Sequence, residues 1–196
     1  MNNDAFAVAH AFTAKWEGGL SDVPQDAGGI TRYGVSLAFL QSLYNESLAT
    51  RDTLSRIGVS LPPTRESVKR LTADQAAAIF RWQFWHALKC DAFPLPIAVI
   101  LYDMAVNHGR ARAVKLAQRG YNATLANASG RLVEDGVPGP LTRRCLSVDS
   151  PELRRSICDA REQFYRDIVA SRPSQKVFLK GWLNRTNALR AYVEKL

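Results

Sequence analysis

The sequence predicts a mainly α fold of about eight helices with one small β-hairpin. Three observations lead there. Apolar residues recur at helical spacing over most of the chain, while Gly, Pro and side-chain caps divide it into helix-length segments. One stretch alone, ITRYGV at residues 30–35, alternates with the period of a strand. With 196 residues and 46% apolar content, the chain has the size and composition of one domain, or of two lobes around a core.

The first helix is expected from Asp4 to Trp16, with Ala5, Val8, Ala9, Phe12 and Trp16 on one face, Asn3 or Asp4 as cap, and Gly18-Gly19 as stop. Residues 20–35 carry Pro, Asp and Gly at turn spacing before the short alternating run, which suggests a hairpin. A second helix follows from Ser36. Residues 45–64 are polar, end in LPPT and read as a surface excursion. Thr72 opens the next helix through a T-A-D-Q capping box. Pro94 and Pro96 break the chain and start PIAVILYDMAVN, which Gly109 ends. The helix RARAVKLAQRGYNATL comes next, then a DGVPGP loop with Thr142 at a short helix. Ser150-Pro151 opens the long helix ELRRSICDAREQFYRDIVAS, and a last helix covers roughly 175–195. A joint near residues 91–96 divides the chain into lobes of 1–92 and 93–196, expected to share one cleft.

A formal charge of +8, from 26 basic and 18 acidic residues, suits a polyanionic partner such as nucleic acid, an anionic membrane or bacterial cell wall. The charge is dispersed and no recognition-helix motif occurs, which disfavours nucleic acid. Cys90, Cys145 and Cys158 have no metal-ligand spacing and read as reduced thiols of a cytosolic protein. The N-terminal stretch lacks the basic and apolar regions of a signal peptide, and PLPIAVILYDMAV is too short to span a bilayer. No P-loop, dinucleotide fingerprint, metal cluster or Gly-x-Ser-x-Gly is present, so chemistry without a cofactor is expected.

The densest concentration of unusual residues is WEGGLSDVPQDAGGITRYGVS, residues 16–36, with five glycines. Glu17, placed at the last turn of a helix and directly after Trp16, meets unpaired carbonyls and an indole. Both disfavour its charged form, as a general acid requires. Asp26 lies in a glycine-bounded turn. Strand alternation puts Thr31 and Tyr33 on one face. A hairpin folding back over the helix end would gather Glu17, Asp26 and Thr31, two carboxylates and a hydroxyl able to hold water, the usual requirement of glycosidic cleavage.

The spacing E-x8-D-x4-T resembles the arrangement of phage-type lysozymes. The longer string EGGLSDVPQDAGGITRYGVS resembles the signature of glycoside hydrolase family 108, the N-acetylmuramidases also called secretion activators. LYDMAVNHGRARAVKLAQ, DGVPGPLTRRCL and REQFYRDIVASRPSQKVFLKGWLNR are similar to further blocks of that family, in the same order. Leu20 departs from it, standing where an aromatic residue is usual. The resemblance implies a lysozyme-like fold and hydrolysis of the β-1,4 bond after N-acetylmuramic acid in peptidoglycan. It carries over Glu17 as catalytic acid, with Asp26 and Thr31 completing the catalytic set. It also implies a catalytic lobe in 1–92 and a peptidoglycan-binding region in 93–196.

Further substrate contacts are expected from Tyr33, from Asn107 (reaching the cleft floor to bind an N-acetyl group or position Thr31), and from Trp182 and Arg185 of KGWLNR, facing a glycan or stem-peptide carboxylates. Asp103, one helical turn before Asn107, is expected to be buried and bonded internally. Phe80, Trp82, Phe84 and Trp85 read as core. The expected protein is a monomeric, cofactor-free muramidase whose partner is the peptidoglycan glycan strand, with no nucleic acid and no stable membrane insertion. Made in the cytoplasm, it would reach the wall by holin-type or dedicated release, as a phage or prophage endolysin or a wall-opening secretion factor. The alternative is a peptidoglycan-binding, secretion-assisting protein without turnover.

Overall fold

The computed structural model describes residues 4–18, 21 and 29–196. Among these residues the order is α1 (Ala5–Thr13), β1 (Thr31–Arg32), β2 (Val35–Ser36), α2 (Leu37–Glu46), α3 (Leu48–Ile57), α4 (Arg65–Arg70), α5 (Ala73–Phe80), α6 (Leu95–His108), α7 (Arg110–Ala123), α8 (Pro140–Leu146), α9 (Pro151–Ser171) and α10 (Lys176–Val193). A π-helical turn, Arg81–His86, follows α5 directly. The fold is the mainly helical, lysozyme-like one, with a single two-stranded antiparallel sheet among the described residues.

The chain forms two compact units, one comprising Thr13–Gln83 and the other Phe84–Leu196 with the N-terminal segment through Phe12. The division therefore falls at residues 83/84 and returns α1 to the C-terminal unit, whereas the prolines suggested a joint at 91–96.

In the smaller unit, helix starts follow side-chain caps. Ser36 accepts from the Phe39 amide at 3.1 Å and opens α2, while Ser47 does the same for Thr50 and α3. Thr72 and Gln75 form the expected reciprocal capping box, at 3.2 and 2.9 Å, and open α5. Each such cap contributes about 1 kcal/mol. Within 45–64, expected to be a surface excursion, residues Leu48–Ile57 form a helix instead. The polar α3 buries only Thr50 and Leu54, and Gly58 in the left-handed region (φ 87°) ends it. Ile30, Val35, Leu40, Leu54, Val68 and Ile79 are fully buried in this unit.

In the larger unit α6 is the central element, buried continuously from Pro96 to Ala105. Asp4 caps α1 through its carboxylate to the Phe6 amide at 3.2 Å, and Ser150 caps α9 through the Leu153 amide at 3.0 Å. Trp85 is fully buried, with Nε1 donating to Asp91 at 2.8 Å. Phe80 in the other unit is also core, as its helical position predicts, while Trp82 and Phe84 are half-buried.

Asp103, wholly buried on α6, is held by two guanidinium groups rather than by a helix N-terminus. Arg161 Nη1 of α9 lies 2.7 Å from Oδ2, and Arg185 Nη2 of α10 lies 2.7 Å from Oδ1. Burial pushes the Asp103 pKa up, but the two cations outweigh it and hold the carboxyl below its usual range. Beside this group, burial first and then the Arg161 charge bring the His108 pKa from 6.5 down to about 3.

Removing the carboxylate strands two buried cations, so Asp103→Asn should cost about 3–5 kcal/mol in urea unfolding. A depressed folded pKa makes Asp103 stabilising above its unfolded value of about 3.9, with loss as pH falls through the folded value. His108 acts over a higher window. Unfolding takes up its proton between pH 6.5 and about 3, so stability should decline on acidification across that range. Melting temperatures from pH 7 to 4 should therefore fall less steeply in His108→Phe than in the parent chain.

Candidate active site

Helix α1 ends at Thr13, and the chain continues in turns through Trp16 N–Thr13 O at 2.9 Å and Glu17 N–Ala14 O at 3.3 Å. Glu17 thus stands a turn beyond the helix, not in its last turn, and Trp16 is 39% exposed. The local setting of the carboxyl comes instead from the hairpin.

Ser21 pairs with Thr31 through two backbone hydrogen bonds of 2.8 Å, placing the chain after Glu17 alongside β1. Strands β1 and β2 pair Thr31 with Ser36 and Arg32 with Val35, leaving Tyr33-Gly34 as a two-residue loop. Both loop residues have positive φ, 50° and 78°, as the twist-matched hairpin turn requires. Gly34 is needed for a second reason. A Cβ there would lie 2.8 Å from Glu17 Cβ, 3.1 Å from Glu17 Oε2 and 3.0 Å from Phe80 Cζ. The missing side chain is the space that Glu17 occupies. The residue is half-buried, and its Oε1 atom is shielded from solvent.

Thr31 lies in the same unit, partly buried, its hydroxyl donating to the Gly29 carbonyl at 3.4 Å. Tyr33 belongs to the turn rather than the strand, so alternation does not set it on a face with Thr31. Its ring is 37% exposed and carries the Arg32 guanidinium 5.2 Å from its centroid. Asp26 and Leu20 lie outside the described residues. The described part of the site brings together Glu17, Gly34 and Phe80 beside a strand bearing Thr31. Gly34 was missed, although a Gly at the second position of a two-residue turn was its signal.

The remaining expected contacts belong to the larger unit. Arg185, only 6% exposed, directs Nε and Nη2 at Asp103; the carboxylate it holds belongs to its own chain. This corrects the expectation of an outward-facing arginine. Asn107, exposed at the end of α6, accepts from the Tyr165 hydroxyl at 2.9 Å. Trp182 is half-buried and stacks on Tyr165 (5.0 Å, 17°) and Phe178 (5.8 Å, 27°). Phe178 is 53% exposed, giving a ladder of rings that reaches the surface. Its i, i+4 spacing from Trp182 was the available signal. Among the described residues, no three His, Cys, Asp or Glu side chains cluster as metal ligands would.

The family model for Glycosyl hydrolase 108 matches residues 10–109, and that for a Predicted Peptidoglycan domain matches residues 112–187. Among solved structures, SagA of Brucella abortus is similar at 26% identity, with 97% of this chain and 94% of that chain covered and a TM-score of 0.72. No curated protein matches the chain.

A methyl group at residue 34 must displace Glu17 or the turn. Gly34→Ala should lower stability by about 1–3 kcal/mol and reduce glycoside hydrolysis more than tenfold, read as kcat on the purified variant below its melting temperature. Retained kcat would mean that Glu17 does not depend on this contact.

Proposed function

The chain belongs to glycosyl hydrolase family 108, and on that footing we propose that it is a lysozyme-type N-acetylmuramidase cleaving the β-1,4 bond between N-acetylmuramic acid and N-acetylglucosamine. The coarser role, peptidoglycan hydrolysis and binding, follows from the family and from the peptidoglycan domain beside it. The observation that supports this reading is Glu17 seated against the Gly34 turn, its carboxyl within close approach of the turn's backbone.

In this mechanism Glu17 protonates the glycosidic oxygen as the bond breaks, and the departing sugar leaves as a neutral alcohol. Asp26 supplies the second carboxylate, by activating water or by supporting the oxocarbenium-like transition state. Thr31 positions the water through its hydroxyl. Tyr33 and the Trp182 ladder offer ring faces to sugars. Carboxyls about 6.5–9.5 Å apart invert the anomeric centre, and a separation of about 5–5.5 Å retains it. The anomer of the first-formed product therefore reads the Glu17–Asp26 distance. Biologically, the enzyme acts on the wall after holin-type or dedicated release, as an endolysin or as a factor opening the wall for secretion.

Purified protein should clear outer-membrane-stripped Gram-negative cells, and mass spectrometry of the digest should find new muramic-acid reducing ends. Glu17→Gln should lower the rate by about 10²–10⁴-fold with the melting temperature nearly unchanged. New N-acetylglucosamine ends would assign the other bond. Wall binding without any new ends would favour the non-catalytic, secretion-assisting reading.

A further inference from the structure

The expected receptor for stem-peptide carboxylates, Arg185, is consumed inside the larger unit, yet an alternative set of cations lies elsewhere in it. An open cavity of about 540 Å³ is lined by His108, Gly109, Arg110, Ala111, Arg112, Lys115 and Asp135. Arg110, Arg112 and Lys115 make no ion pair among the described residues, whereas Arg119, Arg154, Arg166 and Arg190 are each paired with a carboxylate. Arg112 is oriented by the Phe164 ring, 4.9 Å from its guanidinium carbon, which leaves its planar fork a defined direction. His108 borders the cavity with a buried Nε2 that has no hydrogen-bond partner among the described residues.

Asp135, the first residue of the DGVPGP motif, also lines the cavity. Gly136 has φ 79°, and a Cβ on it would lie 2.6 Å from the Ala111 carbonyl oxygen, so this loop touches the first turn of α7 backbone to backbone. Buried Gln118 of α7 clamps the loop. Its Nε2 donates to Asp135 Oδ1 at 2.9 Å and to Thr142 Oγ1 at 3.1 Å, and its Oε1 accepts from the Gly136 amide at 2.9 Å. Asp135 Oδ1 also accepts from the Val137 amide at 2.8 Å. One fixed carboxylate thus lines the same cavity as three cations that form no ion pair among the described residues.

The geometry points to this cavity as a binding site for the stem peptide of peptidoglycan, with Arg110, Arg112 and Lys115 taking its carboxylates and Asp135 its free ammonium. The inference rests on the peptidoglycan reading above and names the part of the polymer read by the second family domain. A peptide with several carboxylates and one amine complements three cations and one acid. A phosphate polyanion would meet Asp135 as a repulsive charge. Guanidinium forks bind carboxylates bidentately, and losing one such charged contact weakens binding about tenfold.

The test titrates the full chain with the tetrapeptide N-acetyl-L-Ala–γ-D-Glu–meso-diaminopimelate–D-Ala, whose one free amine is on diaminopimelate, with its carboxyl-amidated form and with the form acetylated at that remaining amine, by calorimetry. Amidation should weaken binding about tenfold or more. Arg112→Gln and Lys115→Gln should each weaken the parent peptide about five- to tenfold without shifting the melting temperature. Asp135→Asn should erase the preference for the free amine over its acetylated form. Equal binding of parent and amidated peptides, or unchanged affinity in both cation variants, would overturn the site. Displacement of the peptide by an equal concentration of single-stranded DNA would instead assign a general polyanion patch, which also overturns it. Peptide-stripped glycan separates this inference from the muramidase reading. Wild-type chain and Arg112→Gln should cleave it alike, while Arg112→Gln raises KM on intact peptidoglycan. Absence of cleavage of stripped glycan by the wild type would defeat the muramidase assignment and leave the peptide titration standing.

Discussion

A carboxylate removed from water must be compensated on the spot, and Asp103 imposes that condition on the larger unit. Its two oxygens are met by arginines that are 58 and 82 residues away in sequence, one on α9 and one on α10. Three helices are thereby tied to one point in the core. Two guanidinium groups thus converge on one carboxylate, and Arg161 Nη2 finds no hydrogen-bond partner among the described residues. Such a cluster adds little net stability compared with an apolar core of equal volume, but it punishes any arrangement that separates its members. Its contribution to the fold is the registry of α6, α9 and α10.

The same cluster extends toward the surface. Arg161 Nε donates to the Tyr165 hydroxyl at 3.1 Å, and that hydroxyl donates to Asn107. Tyr165 is thus fixed at its polar end, and its ring forms the inner rung on which Trp182 and then Phe178 stack. A ring held this way supports the stack above it at small entropic cost. In the smaller unit the corresponding constraint is steric. Glu17 is placed by the absence of a side chain at Gly34, within a turn that needs positive φ at both residues.

Local signals were legible wherever one residue and its near neighbours suffice. The serines and threonines that cap α2, α5 and α9, the proline start of α6 and its glycine end all act within four residues, and each was read correctly. The hairpin was expected from the alternation of ITRYGV, but its turn, Tyr33-Gly34, falls inside that run and not before it. Helix α3 was overlooked because it is polar and buries only two side chains, so its apolar period is faint although Ser47 and Gly58 bracket it. The α1 boundary was drawn one turn too far because Trp16 continues the apolar period while its backbone has already left the helix.

The sequence by itself determined the mainly α fold, the family and Glu17 as the acid to test, since these depend on short-range periodicity and on an ordered set of motifs. Tertiary structure alone decided the fate of the charged residues. Arg185 and Arg112 are the same residue type on comparable helices, yet one is buried against Asp103 and the other stands at an open cavity. Which carboxylate a guanidinium meets depends on helices packed across long sequence separations, and no local pattern carries that information. The Gly34–Glu17 contact belongs to the same class: a fit between a turn and a side chain that becomes visible only when both are placed in space.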